Sequence, residues 1–325
     1  MNISTVDEDK LRKILFPYAS EREDIVFREN YHFAHYSSAE NIYKILSTET
    51  LYMFNADHMI DDTEITFGMK KLFSILSEKK FSDAFSRLFD RLGFSFTIHY
   101  VMNIVRREIH VEKNNIYIAC LTEHRTSEEQ MTGRPFMWRE YAHENGVAID
   151  LNNQIIDSAD IKESPFFLYS PVIYVDENND NNLRKEVQRF LDVWDNVTIS
   201  HQLNRDVEEN LALSYLITVL LISLMSIKST EYANEQEWRI VLYDNPSVSP
   251  MLQRESWFEE NRWLERGICG NESIFKLHLN SLFSSHLFDE SSLPFLIERI
   301  IVNSKDIDSI SKIRELANRY RIDIR

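Results

Sequence analysis

Glycine is scarce in this chain. Six occur in 325 residues, where an average protein carries about 7%. Gly68, Gly93, Gly133 and Gly146 stand alone, and Gly267-Ile268-Cys269-Gly270 lacks both a trailing glycine and a Gly-Lys-Ser end. A Rossmann dinucleotide loop and a P-loop both need closely spaced glycines, so any nucleotide must be held by side chains and strand edges. Cysteine is scarcer still. Cys120 and Cys269 cannot build a disulfide framework, and such low usage fits a reducing, cytoplasmic setting. Basic charge is in deficit, with 36 Lys and Arg against 52 Asp and Glu for a net charge of −16. That balance argues against broad attraction to nucleic acid or anionic lipid, and Arg106-Arg107 and Arg184-Lys185 are too short to count as a basic stripe. The opening "MNISTVDEDKLRKILF" has no signal-peptide pattern. The longest nearly uncharged run, Leu211 to Ile227, falls short of the ~20 residues of a bilayer span. Ser214, Thr218, Ser223 and Ser226 interrupt it, and a helix buried on all sides is expected there rather than a membrane segment.

What the chain does have is core-forming material, 43% hydrophobic and 12% aromatic, enough for a packed globule. Periodicity predicts a single α+β domain over 1–325, with a mixed, largely antiparallel central sheet. A helical insertion or cap is expected over 67–113 and a helical pair over 183–230. An amphipathic helix is read over 7–19, ending near Pro17. "YHFAHY" and "TLYMFN" alternate as strands around a helix opened by Ser37-Ser38. "NNIYIACLTEH" reads as a strand, and "FMWREYAHENGVAIDL" as helix, turn and strand. "FLYSPVIYV" is taken as one strand, the stretch before about 273 as irregular, and "IFKLHL" as another strand. A strand–helix–strand closes the chain.

Charge against an apolar run marks the candidate chemistry. In "NEQEWRIVLY", Glu235, Glu237 and Arg239 crowd the mouth of a strand running from Arg239 to Tyr243, either as a solvated end or as groups aimed into a site. The acidic stretch Asp61-Asp62-Thr63-Glu64, after His58, has the oxygen donors Mg²⁺ prefers. Joined by Glu235 or Glu237, it would make a metal-dependent nuclease centre. The same Asp61 is also a natural helix cap, which is the reading favoured, and no metal site is expected. Trp138 and Tyr141 lie three apart on one expected helix face. Cys120 and His124 are too far apart along a strand to form a nucleophilic pair, and His32 and His35 fall on opposite strand faces, so they cannot share a zinc.

Four blocks, "HYSSAENIYKILSTETLYM", "IDDTEITFG", "IACLTEH…FMWREYAHENGVAIDL" and "NEQEWRIVLY", resemble in order and content a bacterial domain-of-unknown-function family numbered 2971. Asp61 departs from the Asn usual there, and Leu121-Thr122 from Phe-Ser. The opening layout is also similar to ADP-ribosyltransferase-like proteins, in a toxin or antiviral defence role. That second resemblance implies NAD as substrate, with His35, Tyr52 and Glu237 catalytic and Tyr36, Arg239, Arg134 and Trp138 contacting the nucleotide. It further implies a protein or nucleic-acid acceptor and a regulatory protein partner.

Overall fold

The computed structural model describes residues 17–59, 62–142, 145–156, 167–195, 205–244, 264–279 and 293–325. The first elements are α1 (Pro17–Arg28), β1 (His32–Ser38), α2 (Ala39–Thr48) and β2 (Thr50–Asn55). Helices α3 (Asp62–Ser77), α4 (Lys79–Leu92) and α5 (Ile98–Glu112) follow, then β3 (Ile116–His124), α6 (Ser127–Thr132) and β4 (Asn145–Leu151). Next come β5 (Phe167–Pro171), β6 (Ile173–Val175), α7 (Asn181–Asp195), α8 (Arg205–Leu224), β7 (Ile227–Ser229) and β8 (Glu237–Tyr243). The chain closes with β9 (Leu264–Cys269), β10 (Glu272–His278), β11 (Ile297–Ser304), α9 (Ile307–Tyr320) and β12 (Asp323–Ile324). The fold is α+β.

Two compact units divide the chain. One takes the described residues of 57–115 and 170–233 and those before Glu23; the other takes the described residues of 23–56, 116–169 and 234–325. The first is largely helical, built from α3, α4, α5, α7 and α8 with the parallel pair β6–β7. Its core is aromatic: Phe89 packs on Phe94 and Phe96, and Phe190 lies between Phe85 and Trp194. Buried Lys113 pairs with Asp57 at 2.9 Å.

The second unit is a mixed, mostly antiparallel sheet in the order β12-β11-β4-β1-β3-β2-β10-β9, with β8 pairing β3 and β5. Only β11 and β12 run parallel among the registered pairs of this sheet. Strand β3 organises the centre. Along one edge it pairs with β8 from Ile116↔Tyr243 to Thr122↔Glu237. Its other edge is shared, β2 taking Tyr117 and Ile118 and β1 taking Thr122 to His124, with Ala119–Leu121 left between them. On one face Phe33, Leu121, Ile149, Trp238 and Ile300 meet Ile42 and Leu46 of α2 and Ile313 of α9, and each such burial contributes about 1.5–3 kcal/mol. Ser38 caps α2 by accepting from the Asn41 amide. On the opposite face Ala34, Tyr36 and Ala148 pack under Met137 and Ala142.

Several expectations are corrected. The helix read over 7–19 lies mostly outside the described residues, and Pro17 opens α1 rather than closing a helix, since proline suits a first turn. "FLYSPVIYV" is two strands, β5 ending at Pro171 and β6 beginning at Ile173, since proline is confined to strand ends and edges. The stretch taken as irregular contains β9, most of which is exposed and so lacks an alternating signal. Helix α8 stops at Leu224 and leaves Ser214 exposed, so it is not buried all round. Among the described residues no helix is long and apolar enough to cross a membrane.

Candidate functional site

Strand alternation gathers polar groups on the sheet face opposite Trp238. Cross-strand pairs place Cys120 beside Arg239 and Thr122 beside Glu237, and two-residue spacing brings Glu237 and Arg239 together. The Arg239 guanidinium donates to both Glu237 oxygens, at 2.8 Å from Nε and 3.2 Å from Nη2. Both residues are buried, and a buried carboxylate and guanidinium are tolerated because each neutralises the other. Just ahead of β8, Gln236 adopts a left-handed φ of 46° and breaks the strand's alternation. Buried Glu235 there accepts a short hydrogen bond from the Tyr141 hydroxyl. Burial and this bond to a carboxylate both raise the Tyr141 pKa, with the Glu237 charge adding to the effect. The Tyr141 ring remains half exposed. Two carboxylates, a phenol and Cys120 thus share one patch.

A chain of buried hydrogen bonds supports that patch. Asp150, fully buried on β4, accepts from His32 Nδ1 at 2.8 Å and His124 Nδ1 at 2.9 Å. His124 Nε2 then accepts from the Tyr36 hydroxyl at 2.7 Å, and that oxygen accepts the Arg134 amide at 2.6 Å. Burial raises the Tyr36 pKa, so the phenol stays protonated as this relay requires. The Arg134 side chain donates to the backbone carbonyls of Asn234 and Glu123 and to Gln236 Oε1, pinning the turn that carries Glu235. Although burial lowers its pKa, the Glu129 carboxylate at 2.8 Å offsets part of that cost.

The candidates named from sequence are distributed as follows. Tyr36, Arg134 and Trp138 come together: Trp138 lies edge-on to Tyr36 at 4.7 Å and donates to the Thr132 carbonyl. Glu237 and Arg239 pair. Tyr52, half-buried on β2, shares the sheet face of Glu237, since its neighbours Leu51 and Met53 point to the Trp238 side. His35 does not join them. It is registered with Ile149 and alternates with Tyr36, which puts it on the face opposite Glu237. Its ring turns into the gap between β1 and β2, where Nδ1 donates to the Cys120 carbonyl at 3.2 Å. Burial lowers its pKa, so it is neutral at pH 7.

Asp61 and the side chain of Asp62 lie outside the described residues. Glu64 belongs to the helical unit, 3.8 Å from Lys228. Among the described residues no group of three or more His, Cys, Asp or Glu is arranged to hold a metal ion.

Trp138 and Tyr141 do not share a face as an α-helix would require. Trp138–Ala142 forms a π-turn, whose wider winding separates residues three apart, sending one ring to Tyr36 and the other to Glu235. Sequence reasoning also missed Asp150 and the pairing of His32 with His124. A signal existed: Asp150 is a lone charge in the apolar strand "GVAIDL", which in a buried position demands partners.

The patch therefore joins two blocks about a hundred residues apart, Trp138 to Ala142 and Glu235 to Arg239. Residues 137–240 match the model of a family described as "Protein of unknown function (DUF2971)". The match spans both blocks, so the family's pattern covers both sides of the Tyr141–Glu235 bond. No curated protein and no solved structure matches the chain.

Proposed function

We propose that the patch is a catalytic site for cleaving the N-glycosidic bond of a ribosyl nucleotide, with NAD as the substrate to test. The observation that carries this reading is the side-by-side burial of Glu237, held by Arg239, and Glu235, held by Tyr141. Departure of nicotinamide leaves positive charge on the ribose, and a fixed carboxylate stabilises such an oxocarbenium-like state. Glu237 fills that role, its orientation set by two guanidinium bonds. Glu235 and Tyr141 supply a hydrogen-bonding pair for the ribose hydroxyls. Tyr52, on the same face, offers a ring for stacking. His35 is outside the chemistry in this reading and serves the sheet. In the hydrolytic form water adds to the anomeric carbon, the bonding electrons leave with neutral nicotinamide, and a proton is released with ADP-ribose. In the transfer form a protein or nucleic-acid nucleophile replaces water.

The test is nicotinamide release from NAD by the full chain, with and without EDTA. Release should persist in the chelator and fall about 100-fold or more in Glu237→Gln, the scale on which one aligned stabilising group acts. Absence of release, or full release by a folded Glu237→Gln protein, refutes the reading.

A further inference from the structure

The helical unit contains an apolar pocket with an open mouth, the concave and largely hydrophobic kind of site that takes the body of a small organic ligand. Its walls come from α3, α4, α7 and α8, among them Leu72, Phe85, Phe190, Leu216 and Val219. Of the residues lining it, only Glu186 is ionisable. Its Oε1 accepts from Arg189 at 2.7 Å, whereas Oε2 is buried without a hydrogen-bond partner. The lining serines Ser170 and Ser226 are bonded to each other, and Ser226 also to the Ile222 carbonyl, so they offer little to the carboxylate.

A buried carboxylate oxygen with no donor is destabilising, and an apolar wall around it would be better closed by another aliphatic residue. We propose that the pocket binds a lipophilic amine, its apolar body against the α3–α8 walls and its ammonium donating to Glu186 Oε2. The chemistry selects the class. An aliphatic body suits the wall, a cation supplies the donor that Oε2 lacks in a charge-assisted bond beside the one Oε1 makes with Arg189, and a ligand carboxylate would be repelled. Burial raises the Glu186 pKa to about 7 despite the neighbouring Arg189 charge, so one guanidinium on Oε1 does not fully offset the loss of water around this carboxylate.

Decylamine, decanol and decanoate, titrated calorimetrically into the full chain at pH 8, separate the contributions. Decylamine should bind most tightly. Glu186→Gln should weaken it tenfold or more and leave decanol within about twofold. Ser223→Phe, which fills the pocket from α8, should weaken all three, with circular dichroism and thermal melting checking that each variant is folded. The proposal is overturned if decylamine fails to bind at millimolar concentration, if Glu186→Gln leaves its affinity unchanged, or if decanoate binds as tightly.

Discussion

Gly133 has a φ of 73°, and a methyl group added there would stand 2.5 Å from the Trp138 indole. Both facts follow from one arrangement: the chain reverses after α6 closely enough for the Trp138 Nε1 to reach the Thr132 carbonyl. Gly133→Ala therefore combines backbone strain with a clash against a bulky ring and should destabilise the protein by about 2–4 kcal/mol. Chemical denaturation will show it as a lower midpoint with little change in slope. Trp138 also fixes where the π-turn begins, so the same substitution should disturb the Tyr141–Glu235 contact and lower nicotinamide release beyond the loss of stability.

At the scale of elements, Asp150 fastens three strands, its two oxygens reaching His32 on β1 and His124 on β3. Asp150→Ala leaves two buried imidazole donors unmatched, each costing about 1–3 kcal/mol. The expected loss is about 2–6 kcal/mol in a urea titration, and Asp150→Asn, which keeps one acceptor, should recover part of it. Strands β1 and β2 were legible from alternation, whereas β3 and β8, buried along nearly their whole length, were legible as short β-branched and aromatic runs. Asp150's partners were not, because His32 and His124 are set opposite each other by the register of β1 on β3, which no local pattern encodes. The π-turn was equally hidden, since its residues suit an α-helix. The gap between β1 and β2 along β3 arises from pairing and leaves no compositional trace. Glu235 and Glu237 did stand out, as charges beside an apolar run, whereas the Tyr141 contact that gives Glu235 its setting is nonlocal.

For the whole molecule, acid–base behaviour should carry the signature of Glu186. Its folded pKa of about 7 lies above the ordinary 4.5, so the native state holds a proton that the unfolded chain has released. Its contribution is therefore fully present below about pH 4.5, declines as pH rises to about 7, and changes no further above that. The total is at most about 3 kcal/mol. Glu186→Gln should raise the melting temperature at pH 8 and leave it nearly unchanged near pH 4, and a constant increment at both would contradict the assignment.

The sheet also has a practical consequence at its β9 end. Among the described residues no strand pairs the outer side of β9, whose tip carries the exposed Ile268 and Cys269. Unoccupied strand borders template self-association, and here a reachable thiol would convert a passing encounter into a covalent one. Stored without reductant, the protein should accumulate a band of doubled mass on non-reducing gels. Cys269→Ser should abolish it and Cys120→Ser should not, so purified material will keep best in the presence of a thiol.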